Sequence, residues 1–194
     1  VFLIIGALEV VKTEAAEQDV KVQSVITIGG SANQIAKTIT IDSSGNNIVT
    51  GVFNSGVDFD PGSNSTIFNP TGLQDGFIAK YSTGEELVWA KHIRTTTGSS
   101  SINVRKHAVD RNGNIVIIGE FKGSVDFDPS STNQVLTANV TLAGFYAKYS
   151  STGDLVFAKK FDTLSIFEAT CYVNDLYIDA VGRIYMTGST QQVQ

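Results

Sequence analysis

The pentapeptide Val57-Asp58-Phe59-Asp60-Pro61 returns unchanged as Val125-Asp126-Phe127-Asp128-Pro129, 68 residues further on. A chain that repeats at such a period is built of like units, each burying its apolar face against a neighbour. The residues between the copies repeat as well. Asp42-Ser43-Ser44-Gly45-Asn46 recurs as Asp110-Arg111-Asn112-Gly113-Asn114 and, more loosely, as Asp179-Ala180-Val181-Gly182-Arg183. In such a turn the Asp side chain bonds the backbone ahead of it, and Gly supplies a positive φ.

Each turn joins two strand-like runs. Apolar residues alternate over 35–41, with Ile35, Lys37, Ile39 and Ile41 on one face, and 47–53 is the return strand. Gly51, Gly119 and Gly188 each lie six residues past the turn glycine. A glycine within a strand marks a bulge or a close backbone approach. A second hairpin follows. Gly76-Phe77-Ile78-Ala79-Lys80-Tyr81 turns into Leu87-Val88-Trp89-Ala90-Lys91, and its copy is Gly144-Phe145-Tyr146-Ala147-Lys148-Tyr149 with Leu155-Val156-Phe157-Ala158-Lys159. Phe77, Ala79 and Tyr81 on one face and Ile78 on the other predict a strand buried on both sides, as in stacked sheets.

The expected fold is therefore all-β. Units of about 68 residues carry four antiparallel strands each, and such tandem units read as β-propeller blades. Two blades fall at about 36–93 and 105–161, with partial blades at 25–35 and 173–194, inside a repeat region covering 25–194. A propeller closes with ~4–8 blades, so the ring is incomplete in this chain. The chain is read as a fragment of a longer protein, ahead of closure with a second copy or an open stack. For residues 1–24 two readings stand open: the remnant of a secretory signal with small residues at Ala15-Ala16, or an extra strand.

The ordered motifs Ile41-Asp-Ser-Ser-Gly-Asn-Asn-Ile-Val-Thr-Gly51, Val57-Asp-Phe-Asp-Pro61, Gly76-Phe-Ile-Ala-Lys-Tyr81 and Leu87-Val-Trp-Ala90 resemble the bacterial seven-bladed, SBBP-type β-propeller repeat. The resemblance covers about residues 25–190. It departs from the pattern at Ala180 and Val181, where polar turn residues are usual, and in the N-terminal unit, which lacks the usual Trp. It implies a large bacterial secreted or cell-surface protein, often with a C-terminal sorting domain, and it brings no catalytic residues to carry over.

Composition limits the partners. The net charge is −5 and the basic residues are scattered apart from Arg105-Lys106 and Lys159-Lys160, which argues against nucleic acid. No apolar run approaches the ~20 residues of a spanning helix. Cys171 is the single cysteine and offers neither an intrachain disulfide nor metal-ligand spacing.

The strongest candidate site is the Asp-x-Asp loop: Asp58 and Asp60 with Ser63 and Asn64, and Asp126 and Asp128 with Ser131 and Asn133. Calcium takes six to eight oxygen ligands, and clustered carboxylates on a turn can supply them. Gly62 or Ser130 stands where a Ca²⁺ loop carries a further acid, so capping of backbone N–H groups is the favoured reading and no resident cofactor is expected. Asp42, Asp110 and Asp179 read as turn caps. His92 and His107 read as surface residues. Lys80 and Lys148 read as stems along the sheet with the amine at its rim. Phe59, Phe77, Tyr81, Phe127, Phe145 and Tyr149 read as core before a sugar-stacking platform.

The function expected is non-enzymatic: an extracellular or bacterial cell-surface module for protein or glycan interaction, adhesion or surface assembly. A filament subunit joined to copies of itself through open strand edges is one alternative. A propeller enzyme whose active site lies in other blades is another.

Overall fold

The computed structural model describes residues 2–12, 18–30, 33–128, 130, 133–139, 141–161 and 169–192. The candidate residues Pro129 and Ser131, and the Ala15-Ala16 pair, lie outside them. Every regular element among the described residues is a β-strand. The N-terminal hairpin is β1 (Phe2–Lys12) and β2 (Gln18–Gly30). The first complete unit contains β3 (Gln34–Ile41), β4 (Asn47–Phe53), the short pair β5 (Val57–Asp58) and β6 (Ile67–Phe68), then β7 (Asp75–Tyr81) and β8 (Leu87–Thr95). The second repeats it with β9 (Ser101–Val109), β10 (Ile115–Lys122), β11 (Ser124–Asp126), β12 (Val135–Thr137), β13 (Ala143–Tyr149) and β14 (Leu155–Phe161). The hairpin of β15 (Ala169–Ile178) and β16 (Ile184–Gln192) comes last.

In each complete unit the four long strands form one antiparallel sheet, β3-β4-β7-β8 and β9-β10-β13-β14. The registers match, with Gly51 opposite Phe77 and Gly119 opposite Phe145. The short pairs do something the repeat period alone did not disclose. β11-β12 does not join its own unit's sheet but extends the preceding one, with Val125 opposite Thr95 and Asp126 opposite Arg94 on β8. The β5-β6 pair does the same to β2, with Asp58 opposite Gly29 and Val57 opposite Gly30.

Successive sheets stack face to face, and the apolar cores lie between them. Ile26 and Ile28 pack with Val49, Phe53, Phe59 and Phe77. Ile48, Val52 and Ile78 pack with Val104, Ile117 and Phe145. Val116 and Ile118 pack with Val173 and Leu176. The middle strands β4 and β7 are therefore buried along their full length. Ile78 joins one core while Phe77, Ala79 and Tyr81 join another, which is the two-sided burial their sequence predicts. Burying a large apolar side chain contributes ~1.5–3 kcal/mol, so these shared cores tie the units to one another.

The strand glycines have a steric reason. A Cβ on Gly51, Gly119 or Gly188 would lie 2.1, 2.0 or 2.2 Å from the carbonyl oxygen of Ile35, Asn103 or Tyr172. Each glycine sits where the pairing slips by one residue, a β-bulge that brings the facing backbone in. Ile35, Lys37, Ile39 and Ile41, expected on one face, are the exposed positions of β3. Its apolar members Ile35, Ile39 and Ile41 are 45, 39 and 55 % exposed.

Candidate functional site

The Asp-Phe-Asp-Pro segment forms a tight loop between β5 and β6. Asp58 Oδ1 accepts the amide N–H groups of Asp60 (3.1 Å) and Thr66 (2.8 Å), and Oδ2 accepts the Ser65 hydroxyl. Asp60 Oδ1 accepts the Gly62 N–H at 2.8 Å. In the second copy Asp126 Oδ1 accepts the N–H groups of Asp128 (3.1 Å) and Gln134 (2.9 Å). Asp128 Oδ1 accepts the N–H and hydroxyl of Ser130. Asn133 takes a left-handed backbone, φ 40°, to close that loop. Burial pushes the Asp58 carboxyl up, but the hydrogen bonds from Ser65, Thr66 and Asp60 outweigh it and lower its pKa.

The phenylalanine between the acids is core. Phe59 and Phe127 are 0 and 1 % exposed, and the carbonyls of the two residues accept the hydroxyls of Tyr81 (2.9 Å) and Tyr149 (2.8 Å). All six recurrent aromatics are buried in this way, out of reach of a sugar. The loop is therefore held from inside by a tyrosine and from below by its own carboxylates. A cation at Asp58 and Asp60, or at Asp126 and Asp128, would compete with N–H donors already in place. Among the described residues no three His, Cys, Asp or Glu side chains gather as a metal-binding group.

The hairpin-turn acids cap as expected. Asp42 Oδ1 accepts the N–H groups of Ser44 and Asn46, both at 2.9 Å; Asp110 and Asp179 repeat the arrangement. Lys80 and Lys148 are a correction to the rim reading. Lys80 Nζ lies 2.8 Å from Asp42 Oδ2 and Lys148 Nζ 3.1 Å from Asp110 Oδ2, with the Lys80 side chain only 10 % exposed. An ammonium at this depth needs a carboxylate, and the turn acid of the neighbouring strand pair is within reach. Burial raises the Asp42 pKa, yet the bonds from Lys80, Asn46 and Ser44 prevail and hold it at about 2.

The histidines are corrections too, since neither is a free surface residue. His107 is 2 % exposed, with Nδ1 2.8 Å from Thr50 Oγ1 and Nε2 against Thr40 Oγ1, so it bridges the two units. Desolvation lowers its pKa from 6.5 to about 4. His92 Nε2 lies 2.6 Å from Oδ2 of the buried Asp75, and its ring stacks on Phe68 at 5.0 Å. Asp75 also accepts the N–H groups of Thr71 and Thr95 and the Thr95 hydroxyl, so this His–Asp pair locks β7, β8 and the loop before them. Glu120, 1 % exposed, accepts Arg105 Nε at 2.7 Å and the Val173 N–H at 3.0 Å across the next junction. Asp75 and Glu120 stand where the other copy has Ala143 and Val52, so recurrence could not mark them.

Beside the first Asp-Phe-Asp-Pro loop, between residues 25–27 of β2 and the turn at 84–87, lies a cleft of about 710 Å³. At the next junction the matching turn is covered. Trp89 Nε1 donates to the Ser151 carbonyl at 3.3 Å, and Lys91 approaches Asp154 at 4.0 Å. The two turns differ in backbone chemistry as well. Gly153 has φ 85°, whereas its counterpart Glu85 has φ 67°.

No protein-family model matches this chain, and no curated protein matches it.

Proposed function

We propose that the chain is a non-enzymatic, extracellular or cell-surface interaction module whose stacked units are β-propeller blades of the bacterial SBBP-type repeat. The observation that carries this reading is the stacking of two sheets of identical strand order, with the Asp-Phe-Asp-Pro hairpin of each complete unit extending the sheet before it. Rigid stacked sheets leave the connecting loops free to vary and to bind. The buried charged groups support the non-enzymatic side of the reading. Asp42, Asp75, Asp110 and Glu120 are each engaged in holding a turn, a loop or a unit junction.

Binding of the immobilised chain to a glycan array and to extracellular proteins tests the proposal, alongside protease shaving of intact cells. The expected result is saturable binding without turnover, weakened by Ser63→Ala with Asn64→Ala at the cleft rim, and release of the chain's peptides from the cell surface. Turnover of a bound polysaccharide, or a chain protected inside intact cells, would overturn it. The assembly-subunit reading is favoured by one specific observation: Ile39 and Ile41 remain 39 and 55 % exposed at repeat positions that are covered elsewhere in the chain.

A further inference from the structure

The cleft beside the first Asp-Phe-Asp-Pro loop and the covered turn of the second unit are the same place at two junctions. The chain fills only one of them. The pairings of β2 with β5 and of β8 with β11 set Gly30 at the position of Thr95. Ser24 therefore stands in β2 where Trp89 stands in β8, and Ile26 where Lys91 stands. At the second junction the strand closes over the next unit's turn with an indole and an ammonium: Trp89 Nε1 donates to the Ser151 carbonyl, and Lys91 Nζ lies 4.0 Å from Asp154. That turn leaves room for them, since a Cβ on Gly153 would lie 2.7 Å from Lys91 Cε and 3.1 Å from the indole ring. The first junction has Ser24 and Ile26 in place of that cover, and Glu85 and Glu86 in place of Gly153 and Asp154. β2 runs past this point in both directions, from Gln18 to Gly30. The opening of about 710 Å³ thus follows from which residues the strand and the turn carry.

The charge of the cleft is one-sided. Asp60, Glu85 and Glu86 line it, and no Lys, Arg or His is among the described residues around it. Among the described residues none of these three carboxylates forms an ion pair. The turn acid Asp154 receives a lysine from its strand; the position of that lysine is the buried Ile26 at the first junction. Ile26 and Leu87 give the cleft apolar wall. Apolar surface leading to carboxylates suits a side chain that packs its methylene stem and sets a charged head against the acids. The opening lies within the ~300–1,000 Å³ of ligand clefts, which is more than one side chain fills. Ser63 and Asn64 at its rim carry hydrogen-bonding groups for the backbone of a bound segment.

We infer that this cleft binds the lysine or arginine side chain of an extended basic segment of a partner protein, with the cationic head set against Glu85, Glu86 and Asp60. The bound side chain takes the part that Lys91 plays for Asp154 at the covered turn. The inference rests on the interaction-module reading above and names a basic peptide, not a glycan, as what the module holds.

Nuclear magnetic resonance titration of the ¹⁵N-labelled chain tests it, with an end-blocked alanine–lysine peptide as probe and the same peptide with glutamine for lysine as control. Saturable shifts are expected at the amides of 62–64 and 84–87 with the lysine peptide alone, and they weaken as salt is raised. Glu85→Gln and Glu86→Gln each weaken binding at least about threefold, with unchanged circular dichroism, while Asp154→Asn at the covered turn leaves it unchanged. Ser24→Trp with Glu85→Gly rebuilds the covered form of the junction and abolishes binding. Equal binding of the glutamine peptide, equal weakening by Asp154→Asn, or no shifts at the cleft overturns the inference. If a glycan or a protein without a basic segment binds instead, only the inference falls and the interaction module stands. If the chain binds neither peptide, glycan nor extracellular protein, both fall.

Discussion

Glu85 and Gly153 occupy the same place in two copies of one turn, with φ of 67° and 85°. The left-handed region costs a residue with a Cβ ~1–2 kcal/mol, and glycine escapes that cost while adding ~0.5–1 kcal/mol of unfolded-chain entropy. Among the described residues Glu85 makes no ion pair to offset the difference. Glu85→Gly is therefore expected to stabilise the chain by about 0.5–1 kcal/mol, a rise in Tm of ~1–4 °C for a chain of this size. The reciprocal change is harsher. A Cβ on Gly153 would meet Lys91 Cε at 2.7 Å and the Trp89 ring at 3.1 Å, so Gly153→Ala adds displacement of the Trp89–Lys91 cover to the backbone strain. Its expected cost is about 2–3 kcal/mol. Urea unfolding followed by Trp89 fluorescence reads both. If Glu85→Gly leaves stability unchanged or lowers it, Glu85 is not strained as argued. If Gly153→Ala costs no more than ~1 kcal/mol, the indole does not sit on that turn.

Lys80→Met removes one partner of a buried ion pair and should cost about 3 kcal/mol in chemical unfolding. Because Asp42 titrates at about 2 in the fold and near 3.8 when free, the stability it contributes is present above pH 3.8 and is lost as pH falls toward 2; the variant should lose less over that window. His107 runs through a higher range. Its pKa is 6.5 free and about 4 folded, so stability is intact above pH 6.5 and declines as pH falls from there toward 4. The decline amounts to about 3 kcal/mol, and His107→Gln should flatten it in urea titrations at pH 7 and pH 4.5. Asp58→Ala strips the caps from Asp60 and Thr66 and should cost about 1–3 kcal/mol, whereas millimolar calcium is expected to leave the Tm of the unmodified chain unmoved. A calcium-dependent rise abolished by Asp58→Ala would make the loop a metal site.

What recurs in this chain was legible, and what is particular to one copy was not. Gly51, Gly119 and Gly188 announced a bulge in every unit because backbone approach is a property of the unit. The turn acids and the core aromatics were readable for the same reason. Lys80 and Asp42 recur together at one period, and that joint recurrence was the available sign of their pairing. It went unused because lysine is ordinarily a surface residue. His107 and Asp75 could not be placed by recurrence. Each stands alone against an apolar residue in another copy, and apart from His92 their partners Thr40, Thr50, Thr71 and Thr95 are neutral residues that draw no attention in a Ser- and Thr-rich chain. Nor does periodicity tell which sheet a strand joins, so the docking of β11-β12 on the preceding unit is visible only in the folded chain.

That docking bears on cooperativity. Phe127 is held in its own unit by the Tyr149 hydroxyl, while Val125 and Asp126, two residues or fewer away, pair with Thr95 and Arg94 of the unit before. Lateral pairing, face-to-face packing and the His107–Thr50 bond thus cross one junction, and packing with the Glu120–Val173 bond crosses the next. A unit cut from its neighbours would expose both an edge that normally receives a hairpin and a face that normally carries a core. Arrays with weak junctions unfold unit by unit, and those with strong junctions unfold together. With all three kinds of contact at the junction between the two complete units, and two of them at each of the other junctions, the stacked units belong to the second class, and a defect at one junction is felt by the sheets on both sides of it.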